Sequence, residues 1–243
     1  GPRAVIDALL EAVGPRGTLV MPTHSNSVLG VRPYDRERSP SRTGAVPEYF
    51  RKMPGVVRSR HPTHSVAAIG PAAVELTGAH RVNQAPLARD GFWGKLYDMK
   101  GNVLLMCPIR SATVFHAGET WAGLPQAPLV AHALDEQGRR HDYVLPNGPW
   151  HVGHFEKTMA RPLIRRGVMR EHTLGEDVIR LAPARDMADI SLRVNRRDPL
   201  ISIGAGGDCE CFYCKALRNG TRRPVAATKK NTGPVEGTAG KRR

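Results

Sequence analysis

Apolar residues recur at helical spacing at the start of the chain, and they are Val5, Ile6, Leu9, Leu10 and Val13. This stripe predicts an amphipathic helix, which the Gly and Pro residues at 14–17 terminate. The apolar run at 18–21 then predicts a short buried strand. Residues 22–44 are rich in Pro, Ser, Gly and Arg and predict a loop. A loop this long in a compact domain is usually functional or mobile.

Short apolar runs alternate with amphipathic segments through the middle of the chain. In order, these are a helix at 46–53, a strand at 65–69, a helix at 71–77, a strand at 102–107 and a helix at 112–121. Strands that alternate with helices are typical of an α/β domain. Beyond residue 127 the pattern weakens. It still predicts an antiparallel hairpin from 129–134 and 142–145 around the turn at 135–138, with further helix and strand at 151–166, 175–181 and 184–193.

Length and composition favour one large domain, or two small ones, with a proper core. The chain has 243 residues, of which 40% are hydrophobic. It contains no run approaching the roughly 20 apolar residues that span a bilayer, and it does not open with a signal peptide. Four cysteines are too few for a disulfide scaffold in a chain this long. We therefore expect a soluble cytoplasmic protein without a membrane partner.

Positive charge is concentrated at the C-terminal end. The net charge is +14, and residues 215–243 carry nine Lys or Arg and one Glu. From residue 219 onward the chain lacks apolar periodicity, so we expect a domain at 1–217 and a disordered basic tail at 218–243. Such a tail can bind nucleic acid, and this remains the alternative from another functional class. The tail lacks aromatic residues and a recognisable module, which makes nucleic acid the less favoured partner.

The clearest candidate for chemistry is the pair His116 and Glu119. The two residues are three apart on the predicted helix that follows the best strand, so their side chains share a face. A carboxylate near an imidazole raises its basicity and fixes its orientation, as a general base requires. The alternative is a surface pair beside a helix start. Cys107, at the end of the strand, is a further candidate nucleophile, although a cysteine there is usually a packing residue.

Two other clusters stand out. The loop at 58–66 carries Ser59, His61 and Thr63 among its hydroxyls, imidazoles and arginines. It either binds phosphate and a reacting carbonyl or satisfies backbone groups. Cys209, Cys211 and Cys214 have C-x-C-x2-C spacing, and His172 would complete a tetrahedral zinc site. A second Cys pair at zinc-finger spacing is absent from the sequence, so a reduced cluster is the default reading.

Several segments resemble those of the aminoglycoside 3-N-acetyltransferases, and they occur in the same order. They are residues 17–25, 54–71 with its Arg-His-Pro-Thr-His-Ser stretch, 101–106, the Thr-x-x-His-x-x-Glu signature at 113–119, and the Arg-Asp-Pro-Leu-Ile stretch at 197–201. The resemblance covers about residues 1–217. It is carried by the order of the segments rather than by any single motif.

The resemblance implies an α/β fold of one domain with a central mixed sheet, distinct from the more widespread acetyltransferase fold. It implies acetyl transfer from acetyl-CoA to the 3-amino group of an aminoglycoside, without a metal. His116 corresponds to the catalytic histidine, and Glu119 is the matching acid. Acetyl-CoA is then expected to contact four residues, Ser59, His61, Thr63 and Thr113. A homodimer is left open.

The chain departs from the family pattern in two places. The family has a further acidic residue after the central hairpin, whereas residues 147–155 contain no Asp or Glu. That role is left open between His151 and His154. Family members also carry an earlier strand and a His-Ser-Ser loop that hold CoA. The sequence begins after them, so we expect an incomplete CoA site and an open sheet edge beside the strand at 18–21.

The acceptor is also open. Aminoglycosides are polycations, so their pocket should be acidic. The acids near the motifs are Asp35, Glu37, Glu48, Asp90 and Glu119. Because these are few in a basic chain, another amine is the alternative acceptor.

Overall fold

The computed structural model describes residues 1–25, 32–147, 154–199 and 201 of the chain. The helices are α1 (Pro2–Val13), α2 (Ala45–Phe50), α3 (Ala73–Gly78), α4 (Phe92–Asp98), α5 (Val114–Trp121), α6 (Arg161–Arg165) and α7 (Ala184–Arg197). The strands are β1 (Leu19–Pro22), β2 (Val57–Arg58), β3 (Val66–Ile69), β4 (Asn102–Leu105), β5 (Ala127–Leu134), β6 (Arg140–Asn147), β7 (Arg170–Leu174) and β8 (Asp177–Pro183). A 3₁₀ turn, Ile109–Ser111, precedes α5, and a π-helical segment, Glu156–Ala160, leads into α6.

The strands form three small sheets, and each pairing within a sheet is antiparallel. The first sheet has the order β1-β3-β2, the second has the order β4-β8-β7, and the third is the β5-β6 hairpin. The class is α/β, but the expected central mixed sheet is wrong for the described residues. An apolar run predicts a buried strand without fixing its neighbours or their direction. Here α1 and α2 contact β1 and help to bury it.

The predicted hairpin around 135–138 is confirmed. Its register runs from Ala127 opposite Asn147 to Leu134 opposite Arg140. Gly138 adopts φ 75° at the turn, a conformation that favours glycine. The backbone of Tyr34 bonds to this hairpin, because its N–H donates to the His132 carbonyl at 2.8 Å and its carbonyl accepts from the N–H of residue 134 at 2.8 Å. The long loop after β1 is thereby tied to the hairpin.

Helix α4 was not predicted from the sequence. Gly94 lies within it, and a glycine inside a helix costs about 1 kcal/mol relative to alanine. The structure requires glycine there, because a Cβ would overlap the carbonyl oxygen of Arg89. A close approach between the helix and the preceding turn therefore weakened the helical pattern.

The larger core cluster joins β4, α5, β8, α7 and the segment that follows the hairpin. Phe115 on α5, Phe155 and Met159 after the hairpin, and Met187 on α7 are fully buried in it. A second cluster holds α1, β1, α2 and β3 together through residues such as Ile6 and Phe50. In the described part of the chain, no helix has the length and apolar character that crossing a membrane requires.

The contact between α5 and α7 is unusually close at Gly118. A Cβ at this position would overlap the backbone nitrogen of Leu192 and Cβ of Ser191. The Ser191 hydroxyl donates to the Phe115 carbonyl at 2.5 Å. The Asn195 side-chain amide donates to the Ser191 carbonyl at 2.9 Å, within α7. Glycine at 118 therefore sets how deeply α5 packs against α7.

Gly118→Ala is expected to destabilise the fold by about 1–3 kcal/mol, the usual cost of overpacking a close contact. The matched control is Gly78→Ala at the end of α3, where a Cβ meets nothing within 4 Å. Urea unfolding of both variants measures the difference. Equal stability of Gly118→Ala and the unmodified chain would contradict the close packing described here.

Candidate active site

The pair predicted from the sequence lies on α5, just after the chain leaves β4 and the 3₁₀ turn. His116 is 5% exposed and Glu119 is 1% exposed. Nδ1 of His116 lies 2.7 Å from Oε2 of Glu119. The expectation that the two side chains share one face of a helix is confirmed, whereas the alternative of a surface pair is wrong. Thr113 immediately precedes this helix and is half-buried.

The geometry assigns different tasks to the two ring nitrogens of His116. An ionised carboxylate only accepts hydrogen bonds, so Nδ1 carries the proton and Nε2 carries the lone pair. Burial strengthens the attraction between an imidazolium and Glu119, because the low local dielectric screens it less than water does. A ligand group placed against Nε2 can therefore lose a proton to His116.

The segment after the hairpin brings His154 and Phe155 to the same place. Nε2 of His154 lies 3.9 Å from Oε1 of Glu119, and His154 is 3% exposed. The Phe155 ring packs edge-on against His116, with 4.8 Å between centroids. Of the two histidines considered for this region, His154 therefore reaches the pair, whereas His151 lies outside the described residues.

The loop before β3 is held by its own buried hydrogen bonds. The His61 ring uses both nitrogens, because Nε2 lies 3.1 Å from the Gln84 carbonyl and Nδ1 accepts from the His64 N–H at 3.0 Å. The Ser59 hydroxyl lies 3.4 Å from Nδ1 of His80 and accepts the Val66 N–H at 2.9 Å.

Thr63 is also buried, and its hydroxyl lies 2.8 Å from Nδ1 of His64. The structure thus brings Ser59, His61 and Thr63 together. Their side chains bond to protein groups.

Four histidines around this loop have strongly lowered basicity. Burial, and then the nearby Arg58 guanidinium, lowers the pKa of His24 to about 4. Burial lowers the pKa of His61 to about 3 and that of His64 and His80 well below the usual value. The rings also stack, with His61 and His80 at 4.4 Å between centroids. All four rings are therefore neutral at pH 7.

Sequence reasoning missed His80, because it sits alone after α3 and becomes part of the cluster only through the fold. It also missed the place of Arg58, which is 6% exposed. This guanidinium donates to the carbonyls of Thr23 and Ser39, each at 2.6 Å, and lies 5.0 Å from the Tyr34 ring centroid. Arg58 therefore joins the end of β1, the long loop and the start of the β3 loop.

The remaining candidates separate from the site or fall outside the described residues. Cys107 is half-buried against the larger core, and burial raises the pKa of its thiol, which disfavours a thiolate nucleophile. His172 lies exposed on β7. Cys209, Cys211 and Cys214 lie outside the described residues, as does the tail at 218–243. Within the described ranges, no group of three His, Cys, Asp or Glu is placed to hold a metal.

Comparison with known proteins gives consistent matches. A family model described as aminoglycoside 3-N-acetyltransferase matches residues 1–194. The chain is 31% identical to aminoglycoside N(3)-acetyltransferase VII of Streptomyces paromomycinus, over 79% of this chain and 78% of that protein.

Solved structures agree with the sequence matches. The chain is similar to the apoenzyme crystal structure of aminoglycoside acetyltransferase AAC(3)-IVa, with a TM-score of 0.73 and 29% identity over 90% of this chain and 84% of that one. It is also similar to a mutant of that acetyltransferase in complex with a gentamicin, with a TM-score of 0.73 and 30% identity over 90% and 83% of the two chains.

The buried histidines predict a loss of stability in acid. In the unfolded chain they bind protons near pH 6.5, whereas the folded pKa values of His24 and His61 are about 4 and about 3. Between these limits the unfolded state binds more protons, so the free energy of unfolding falls as the pH falls below about 6.5. Urea titrations at intervals from pH 7 to pH 4.5 measure this slope.

His61→Gln removes one of these protonation sites, so its stability should depend less steeply on pH, by up to about 1.4 kcal/mol per pH unit. His172→Gln, on the exposed face of β7, is the control and should leave the slope unchanged. An unchanged slope in His61→Gln would show that His61 is not held neutral by the fold.

Proposed function

Because the chain belongs to the aminoglycoside 3-N-acetyltransferase family and is an acetyltransferase, we propose that it acetylates the 3-amino group of an aminoglycoside from acetyl-CoA. The family resemblance inferred from the motifs is confirmed by the same matches. The observation that carries the proposal is the buried 2.7 Å contact between His116 and Glu119. Binding of a gentamicin and of apramycin by relatives that are 30% and 31% identical supports the acceptor class.

His116 is the proposed general base. An aminoglycoside amine is largely protonated at neutral pH, and it must lose a proton before its lone pair can attack. Nε2 of His116 takes that proton, while Glu119 stabilises the imidazolium through Nδ1. The pair can do this without rearrangement, since helix α5 already holds both side chains in contact.

The amine nitrogen then attacks the thioester carbonyl carbon directly. A C–N bond forms, the carbonyl oxygen becomes an oxyanion, and collapse of the intermediate breaks the C–S bond and releases CoA thiolate. The N–H groups of Phe115 and His116 already donate to carbonyls at 3.0 Å. We therefore assign stabilisation of the oxyanion to the Thr113 hydroxyl at the start of the same helix.

The loop at 59–65 is the proposed border of the acetyl-CoA site. Its His64 is close enough to His116 for His116 to contribute to the lowering of the His64 pKa. Ser59 and His61 act by holding the loop in shape, because their polar atoms are used inside the protein. Thr63 lies next to His64 and is the residue of this loop that we place nearest to the acetyl-CoA.

One observation favours another amine as the acceptor. The acids that were candidates for a cationic pocket are paired with the chain's own cations. The contacts are Asp35 with Arg38 at 3.9 Å, Glu37 with Arg36 at 3.0 Å, Glu48 with Arg51 at 2.6 Å and Asp90 with Arg81 at 2.5 Å. A polycation would compete with these arginines. An amine with fewer charges would not, so it is the second candidate substrate.

His116→Ala is expected to abolish acetyl transfer and to leave binding of CoA nearly unchanged, because the base acts on the amine. Glu119→Gln should lower kcat by about 10²-fold, in the range of general acid–base contributions. His141→Ala is the matched control, since it removes another His–carboxylate contact, with Asp135, that lies on the hairpin turn. Near-normal turnover by His116→Ala would refute the assignment.

Turnover of acetyl-CoA against a panel of amines decides between the acceptors. The panel contains gentamicin, apramycin and an uncharged arylamine. We expect the two aminoglycosides to be acetylated faster and their KM to rise with salt, because screening weakens binding of a polycation. Faster turnover of the arylamine would instead establish the second candidate.

A further inference from the structure

The Glu119 carboxylate lies between two imidazoles. Oε2 faces Nδ1 of His116 at 2.7 Å, and Oε1 faces Nε2 of His154 at 3.9 Å. The longer contact is an ionic approach rather than a hydrogen bond. All three side chains are deeply buried, so the electrostatic influence of each group on the next is little weakened by solvent.

The second imidazole is held by the fold rather than by chance. The fully buried Phe155 ring packs edge-on against both, with centroids 4.8 Å from His116 and 4.9 Å from His154. The backbone carbonyl of His154 accepts from the N–H of Thr158 at 3.0 Å and from its hydroxyl at 2.8 Å. The spacing of the two histidines is thus set by an aromatic wedge and a helical turn.

We propose that His154 is a positioning residue for the base, orienting the Glu119 carboxylate and limiting how strongly it holds a proton on His116. This inference rests on the proposed function, in which His116 must be unprotonated to act. A neutral His154 opposes the carboxylate charge through its N–H dipole, and a protonated His154 opposes it through its charge. Both forms weaken the pull of Glu119 on the His116 proton.

Other titratable groups approach the pair, but they do not titrate in the relevant range. His64 faces His116 from the loop before β3, and its pKa is held well below the usual value by burial. His24 stacks behind His64 at 4.6 Å between centroids, with a pKa of about 4. On α7, the groups beside α5 at this level are the uncharged Ser191 and Asn195. Titration near neutral pH therefore reports on His116, Glu119 and His154.

The test is a titration of the His116 imidazole by NMR in protein labelled with ¹³C-histidine, without substrate. The His116 signal is assigned from its loss in His116→Ala. In His154→Leu, the titration midpoint of His116 should rise by about one pH unit, a shift of ordinary size for a changed neighbour. His154→Gln keeps an N–H donor of similar reach and should restore most of the original midpoint.

A purely structural role for His154 makes a different prediction. It would lower the melting temperature and reduce kcat equally at every pH, with the His116 midpoint unmoved. That result in His154→Leu would overturn the proposal. If the leucine variant does not fold, His154→Asn replaces it, because its shorter amide stops short of Glu119 and should again raise the midpoint. An unmoved midpoint in that variant likewise overturns the proposal.

The steady-state pH profile separates this inference from the proposed function. The acid limb of kcat should move to higher pH in His154→Leu together with the NMR midpoint, with KM for acetyl-CoA unchanged. Normal turnover by His116→Ala would refute the base assignment even if the NMR midpoint moves. An inactive His116→Ala with an unmoved midpoint in His154→Leu would refute the role of His154 alone.

Discussion

The close contact between α5 and α7 at Gly118 is the constraint on which the site depends. With glycine there, the two helices approach until the backbone of Leu192 lies where a side chain would begin. The Ser191 hydroxyl then reaches the Phe115 carbonyl. A helix is a stiff element, so fixing α5 at one point also fixes the direction of its other faces. His116 and Glu119 are therefore placed by packing, without a flexible loop, as a preorganised base requires.

The histidine-rich loop shows how the protein keeps a polar region buried. Unpaired polar groups inside a protein are costly. Here, the nitrogens of His61 and His80 lie within reach of carbonyls, a hydroxyl and backbone N–H groups. Arg58 similarly donates to carbonyls and hydroxyls from three segments. The result is a rigid and largely neutral wall beside the catalytic pair, in which the Glu119 charge acts at short range.

The same economy of charge bears on the substrate. Membership in the aminoglycoside 3-N-acetyltransferase family sets the expectation of a cationic acceptor. Yet several candidate acids are engaged with arginines on the protein surface. Surface ion pairs are worth little, so an incoming polycation can displace them at small cost. The pairing therefore weakens the argument for a preformed acidic pocket more than it argues against the substrate.

Local patterns in the sequence determined α1, the β5-β6 hairpin and the face shared by His116 and Glu119. Each depends on residues that are near in the chain, so helical or strand periodicity is enough to reveal it. The family was also readable, because its motifs keep their order. The sequence did not reveal the antiparallel sheets, the partners of Arg58, the place of His80 or the approach of His154 to Glu119. These contacts join residues that are far apart in the chain, and only packing of the elements against one another brings them together.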